Sequence, residues 1–323
     1  MALPELAAQE VLTAQQHDPM SIVIVGLGKM GARMGAKLVT EGHEVYGWDI
    51  NPDAREVGVG MGMYVPETLE EALYAQPDGD RIIWQMLPAG VTEAGLDVIA
   101  GLVNPGDIVI DGGNSKYQDT ERNAARLGER GIRFLGIGVS GGIKAAETGY
   151  PLMVGGDQSA YNDITPILDS LSRPNGGHEY FGAGGAGHFV KMVHNGIEYP
   201  IMQAIGEGFG VMREGPYALD LLRVARLYQR NTLVSGFMMD ITAEALAADP
   251  DLASYSGEIG SASGEALWTV EEAARLGVPS ESIEQAIDFR RRSATDPDVS
   301  GSFAAKVVAA QRATFGGHPV KRA

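Results

Sequence analysis

The stretch that decides the fold is Ser21-Ile22-Val23-Ile24-Val25-Gly26-Leu27-Gly28-Lys29-Met30-Gly31. Its first five residues are an Ile- and Val-rich run of strand length. Three glycines follow in Gly-x-Gly-x-x-Gly spacing, and Lys29 to Thr40 has helical character up to Gly42. Glu44 to Asp49 reads as a second strand, so the segment is a β-α-β unit. In such a unit the first glycine permits a tight turn. The second lets backbone approach a pyrophosphate, and the third lets helix and strand pack closely. The N–H groups at the helix start favour the negative charge of phosphates. Asp49 ends the second strand, where a carboxylate accepts the ribose 2′-hydroxyl of NAD and repels the 2′-phosphate of NADP. NAD is therefore the expected cofactor, with NADP the weaker alternative because Arg55 is near.

Outward from this unit, Arg81 to Leu87, Ile108 to Asp111, Ile132 to Ile137 and Pro151 to Val154 read as further strands separated by helix-length stretches. Alternating elements predict an α/β fold with a Rossmann-type, doubly wound parallel sheet. After Gly187 strand-like runs disappear. His188 to Met212, Asp220 to Tyr228, Ile241 to Ala248, Leu267 to Leu276 and Ile283 to Arg292 read as helices. The division expected is an N-terminal extension over 1–20 and a dinucleotide-binding domain over 21–186. An all-helical substrate and oligomerisation domain with a C-terminal tail fills 187–323.

The length of 323 residues suits two domains. Asp plus Glu number 42 against 25 Lys plus Arg, a formal charge of −17. That balance argues against nucleic acid and anionic membrane surfaces as partners, yet leaves room for phosphorylated small molecules in a local cationic pocket. The chain has no Cys, which excludes disulfides, thiolate metal sites and Cys nucleophiles. No apolar run reaches the roughly 18–20 residues of a membrane span. Residues 1–20 have neither the basic start nor the continuous apolar stretch of a secretory signal. The expectation is a cytoplasmic protein without a bound metal.

Lys191, His194, Asn195 and Glu198 fall at i, i+3, i+4 and i+7 and share one helix face. A polar stripe is ordinarily a solvated face. Here Phe189, Val190, Met192, Val193 and Ile197 leave the helix little face for water, and the stripe combines a base, an amide and an acid, as proton transfer needs. Asp111-Gly112-Gly113-Asn114-Ser115 ends a strand, where ligands bind in open α/β sheets. Val139-Ser140-Gly141-Gly142 follows another and can offer a hydroxyl and bare N–H groups to an anion.

These segments resemble the decarboxylating 6-phosphogluconate dehydrogenase family, most specifically over Gly187-His188-Phe189-Val190-Lys191-Met192-Val193-His194-Asn195-Gly196-Ile197-Glu198-Tyr199. The resemblance implies oxidation of 6-phosphogluconate at C3, loss of CO2, and protonation of an enediol at C1 to give ribulose 5-phosphate. Lys191 is implied as general base and Glu198 as general acid. Asn114, Ser140, Gly141, Gly142, His194, Asn195 and Tyr199 are implied to surround the substrate. Arg290 is implied to hold its phosphate, with Arg312 and His318 reaching over from a neighbouring subunit of a homo-oligomer, dimer or tetramer. The implied cofactor set is Gly26, Leu27, Gly28, Lys29, Met30, Gly31 and Asp49, with Leu87, Pro88, Ala89 and Asn114. Ser263-Gly264-Glu265-Ala266-Leu267-Trp268-Thr269 departs from the family pattern by lacking a Lys, and the extra helical repeat of longer members is absent. Pro200 should kink the helix after the catalytic turn. A 3-hydroxyisobutyrate-type dehydrogenase and a non-catalytic nucleotide-sensing protein are the alternatives. The run from His194 to Tyr199 weighs against the first, and the presence of both Lys191 and Glu198 against the second.

Overall fold

The run Ser21–Val25 forms β1, the second strand from one edge of a seven-stranded sheet. The other strands are β2 (Glu44–Trp48), β3 (Ile82–Gln85), β4 (Ile108–Asp111), β5 (Arg133–Val139), β6 (Pro151–Gly156) and β7 (Gly177–Tyr180), in the order β2-β1-β3-β4-β5-β6-β7. This computed structural model describes residues 18–260, 264–316 and 321. Most of the expected N-terminal extension, Ser263 and His318 lie outside the described residues.

The first five strands pair in parallel, with helices on both faces of the sheet. Parallel strands covered on both sides read as continuous apolar runs, as Ile22, Val23, Ile24 and Val25 do. Ile22 and Ile24 pack with Met34 and Leu38 of α1 (Gly31–Thr40), whereas Val23 and Val25 pack with Leu96 and Ile99 on the opposite face. β6 departs from the all-parallel expectation. It runs antiparallel to β5, with Gly136 opposite Gly155, and β7 then runs parallel to β6. The reason is connection length. Between Val139 and Pro151 lie a turn and two very short helices, Gly142–Lys144 and Ala145–Thr148, too little chain for the crossover that a parallel neighbour needs.

The helical half begins with α2 (Ala186–Glu214), 29 residues long and unbroken through Pro200. Around it pack α3 (Leu221–Tyr228), α4 (Phe237–Ala248), α5 (Glu265–Leu276), α6 (Glu281–Arg292) and α7 (Phe303–Gly316). Arg312, expected on a C-terminal tail, belongs to the last of these helices. Phe303, Val307 and Ala310 recur on one face of α7 and join Phe209 of α2 and Met239 and Leu246 of α4 in an apolar core. Among the described residues, no helix is long and apolar enough to cross a membrane.

Candidate active site

Because β1, β3, β4 and β5 are parallel, the segments that follow them emerge on one edge of the sheet: Gly26–Gly31, Leu87–Ala89, Asp111–Ser115 and Ser140–Gly142. In the first segment the three glycines are required for different reasons. Gly26 has φ 96°, and a Cβ there would sit 2.7 Å from the Met86 carbonyl oxygen. A Cβ on Gly31 would fall 2.0 Å from the Gly26 oxygen. Gly28 instead faces open space, with nothing within 4 Å of the place a Cβ would take. The turn is thus closed on its inner side and open on its outer side, a cradle that fits a dinucleotide pyrophosphate. No side chain caps the N-terminus of α1.

Asp49 serves the same turn. One carboxylate oxygen accepts the Leu27 N–H at 2.7 Å and the other accepts the Asn51 N–H at 2.8 Å. Further lone pairs remain for a ribose hydroxyl. The Arg55 guanidinium donates to the Asp49 carbonyl at 2.9 Å and lies 3.7 Å from Glu67. Leu87 packs against Gly26, while Pro88 and Ala89 lie at the surface beyond β3. At the end of β4, buried Asp111 accepts the Gly113 N–H at 3.0 Å and the Ser115 hydroxyl at 2.6 Å, and the turn so held leaves Asn114 exposed.

Glycines also bring α2 to the sheet. Gly136 and Gly138 lie on one face of β5, two residues apart. A Cβ on Gly138 would fall 2.3 Å from Lys191 Cβ, and one on Gly136 would fall 2.4 Å from Thr120 Cγ2 and 3.1 Å from His188 Nδ1. On the helix side, a Cβ on Gly187 would meet the Gly136 oxygen at 2.4 Å. Only bare backbone allows so close an approach, and it sets Lys191 against Gly138 near the end of β5, two residues before buried Ser140. His188 Nδ1 lies 2.7 Å from Thr120 Oγ1, and burial lowers the imidazole pKa. Gly141 and Gly142 have φ of 91° and 58°, and a Cβ on Gly142 would lie 2.3 Å from the Phe315 oxygen, so the end of α7 closes over this turn.

Lys191 is only 7% exposed. Burial lowers its pKa from the lysine range, against the opposing pull of Glu198 and Glu265. Burial raises the Glu198 pKa, against Lys191, Arg290 and Arg312. Each group is thus displaced towards its neutral form. His194 is also held towards neutrality, by burial and by the Lys191 charge; its Nδ1 lies 2.9 Å from Asn195 Oδ1 and 4.0 Å from Glu198 Oε2. The helix keeps more solvent face than its apolar neighbours suggest, since Ile197 is 53% exposed.

Arg290, 3% exposed, stacks 3.6 Å from the Tyr199 ring centroid. Burial pushes its pKa down to about 10, which leaves it charged at neutral pH. Arg312 donates to the Ile259 carbonyl, and its strongest electrostatic neighbours after burial are Tyr199 and Glu198. The Ile259 N–H is itself held by Ser293 Oγ at 3.0 Å, just after α6, so one short backbone segment ties the Arg290 helix to Arg312. Arg312 lies beside Glu198 and Tyr199 of its own chain, because α7 packs along α2. Two residues have no counterpart among the sequence expectations. Thr269 places its Oγ1 2.7 Å from the Met192 carbonyl and 2.8 Å from that of Glu265, and Glu265 itself borders the Lys191 turn.

Residues 21–184 match the family model described as the NAD binding domain of 6-phosphogluconate dehydrogenase, and residues 187–300 match that of the 6-phosphogluconate dehydrogenase C-terminal domain. A Haloferax volcanii protein named 6-phosphogluconate dehydrogenase, NAD(+)-dependent, decarboxylating, is 35% identical over 94% of this chain and 99% of its own. The solved Plasmodium falciparum 6-phosphogluconate dehydrogenase, described with its cofactor NADP+ and its substrate 6-phosphogluconate, superposes with a TM-score of 0.76 at 29% identity; the match covers 84% of this chain and 62% of that one. Mycobacterium tuberculosis 3-hydroxyisobutyrate dehydrogenase, solved with L-serine, superposes with a TM-score of 0.69 at 25% identity over 90% of this chain and 98% of that one.

Proposed function

This chain belongs to the 6-phosphogluconate dehydrogenase family, and from that premise we propose that it converts 6-phosphogluconate to ribulose 5-phosphate and CO2 with NAD as cofactor. The observation that carries the reading is the buried Arg290 and the half-buried Arg312, two guanidiniums beside the Lys191–Glu198 pair. A phosphate monoester brings close to two negative charges at neutral pH, and an acidic protein needs concentrated cations to receive them. Guanidinium forks suit that group, since they can hold it through two parallel hydrogen bonds.

Gly26–Gly31 would hold the pyrophosphate of the dinucleotide and Asp49 its adenosine ribose, and the nicotinamide of that cofactor would supply the hydride acceptor. Lys191, neutral when substrate binds, takes the proton from the C3 hydroxyl. Its ammonium then lies beside the C3 oxygen and stabilises the negative charge that develops there as CO2 leaves. Protonated Glu198 delivers a proton to C1 of the enediol, which the upward displacement of its pKa favours. Asn114, Ser140 and the N–H groups of Gly141 and Gly142 orient the substrate, with His194 and Asn195. The carboxylate of Asp49 favours NAD over NADP. The protein acts as a homo-oligomer.

The likeness to 3-hydroxyisobutyrate dehydrogenase, over nearly the full length of that chain, supports a second reading, a 3-hydroxyacid dehydrogenase without decarboxylation. One assay separates the two: NADH and CO2 formation with 6-phosphogluconate against NADH formation with 3-hydroxyisobutyrate. Turnover of the second substrate alone would overturn the proposal.

A further inference from the structure

Glu265 begins α5, and the contacts of Thr269 with the carbonyls of Met192 and Glu265 pin that first turn to the turn of α2 that carries Lys191. The fit is close: a Cβ on Gly196 would fall 2.7 Å from Thr269 Cγ2. Glu265 Oε1 is buried and has no hydrogen-bond partner among the described residues. A buried carboxylate oxygen without a donor is unfavourable until a donor arrives.

Glu265 is an electrostatic neighbour of His188, Lys191, His194 and Glu198, all on α2. Arg290 and Arg312 have Glu198 and Tyr199 as their acidic neighbours instead. Glu265 therefore faces the turn of α2 that carries the proton-transfer groups. What an acceptor lacks there is a neutral donor, and a sugar acid offers hydroxyls on the carbons flanking its reacting carbinol.

We propose that Glu265 recognises the substrate, its Oε1 accepting a hydrogen bond from a hydroxyl adjacent to C3 of the sugar acid. The inference rests on the sugar-phosphate reading above and extends it to the polyol chain. A site built around such an acceptor discriminates strongly against an acid with no second hydroxyl, because the carboxylate would then stay unpaired in the filled cleft. The residue thus separates polyhydroxy acids from simple 3-hydroxyacids.

The test measures kcat/KM of the wild type and of Glu265→Gln with 6-phosphogluconate and with its 2-deoxy and 4-deoxy analogues, and the Kd of NADH for both proteins. The glutamine keeps the shape and removes the charge. The expected result is a loss of about 10- to 100-fold with the full substrate, carried mainly by KM, as for a charge-assisted hydrogen bond. With one of the two deoxy analogues the substitution should change kcat/KM by less than about twofold, since the lost partner is already missing. NADH binding should be unchanged. The wild type alone provides a second check, since one deoxy analogue should lose at least about tenfold. Equal losses with all three substrates would mean that Glu265 acts only through the Lys191 charge and would overturn the proposal, as would an unaffected kcat/KM with the full substrate. A wild type without turnover of 6-phosphogluconate would overturn the sugar-phosphate reading and this inference together, whereas turnover with an indifferent variant overturns the inference alone.

Discussion

Lys191 keeps a chargeable amine where water scarcely reaches, and two consequences follow for the single residue. As the base, it should be indispensable: Lys191→Ala should lower kcat by about 10²–10⁴-fold while the Kd of NADH stays near that of the wild type. As a buried cation, it should destabilise the fold. Its folded pKa lies below the unfolded one, so between the two values the unfolded chain binds more protons and stability rises with pH. Below the folded pKa the penalty is full, and above about 10.5 it is gone. Lys191→Met should therefore raise Tm at pH 7, with the gain shrinking as the pH approaches that upper limit; thermal melts across the range check the sign. Asp49 is a different case, because it holds the turn as well as favouring a cofactor. Asp49→Ser with Asn51→Arg should shift kcat/KM from NAD towards NADP. The same change should lower Tm through loss of the Leu27 and Asn51 contacts. A wild type that uses NADP as well as NAD would refute the role given to Asp49.

Among the elements, the contact between β5 and α2 is the one on which the chemistry depends. Gly138→Ala forces a methyl group to within 2.3 Å of Lys191 Cβ, so the helix must move. The expected outcome is a loss of kcat of at least about tenfold with little change in NADH affinity, since the cradle at Gly28 is built by other elements; stopped-flow turnover and a binding titration separate the two. How much of this is legible in the sequence depends on range. The β-α-β unit is legible because its glycine turn, its strand and Asp49 carry local constraints. The stripe from Lys191 to Glu198 is legible because helical spacing fixes a shared face. The direction of β6 is a matter of chain length between strands rather than of pattern. β7 escapes notice because Gly177-His178-Glu179-Tyr180 is short and polar on the edge of the sheet. The placement of Glu265 and Arg312 arises from packing between distant segments, for which a single sequence carries no periodic signal.

For the whole molecule, Arg312 beside its own chain's Glu198 predicts how subunits behave in mixtures. Oligomers assembled from Lys191→Ala and Arg312→Ala chains should gain no activity over their separate preparations, because neither kind of chain holds a complete site. Restored turnover would mean that the arginine acts across an interface. The helical half leaves Val211, Tyr217, Leu227, Leu233 and Val234 exposed, apolar side chains that an interface of the proposed homo-oligomer would cover. Leu233→Asp should accordingly reduce the assembled mass in light scattering while leaving the thermal transition of the chain within a few degrees. The glycine contact between sheet and helix has a further consequence, for how such a protein can diverge. Gly187 is hemmed in by backbone and Gly138 by the Lys191 Cβ, so a replacement there meets a collision that side-chain rotation does little to relieve, while Gly136 is closed by the Thr120 and His188 side chains, which hold each other in place. In a library of random variants these positions should tolerate almost nothing. The arginines of the cleft are side chains borne on separate helices and can be exchanged one at a time. Descent with modification can then alter what the cleft accepts in small steps while the amine stays where it was.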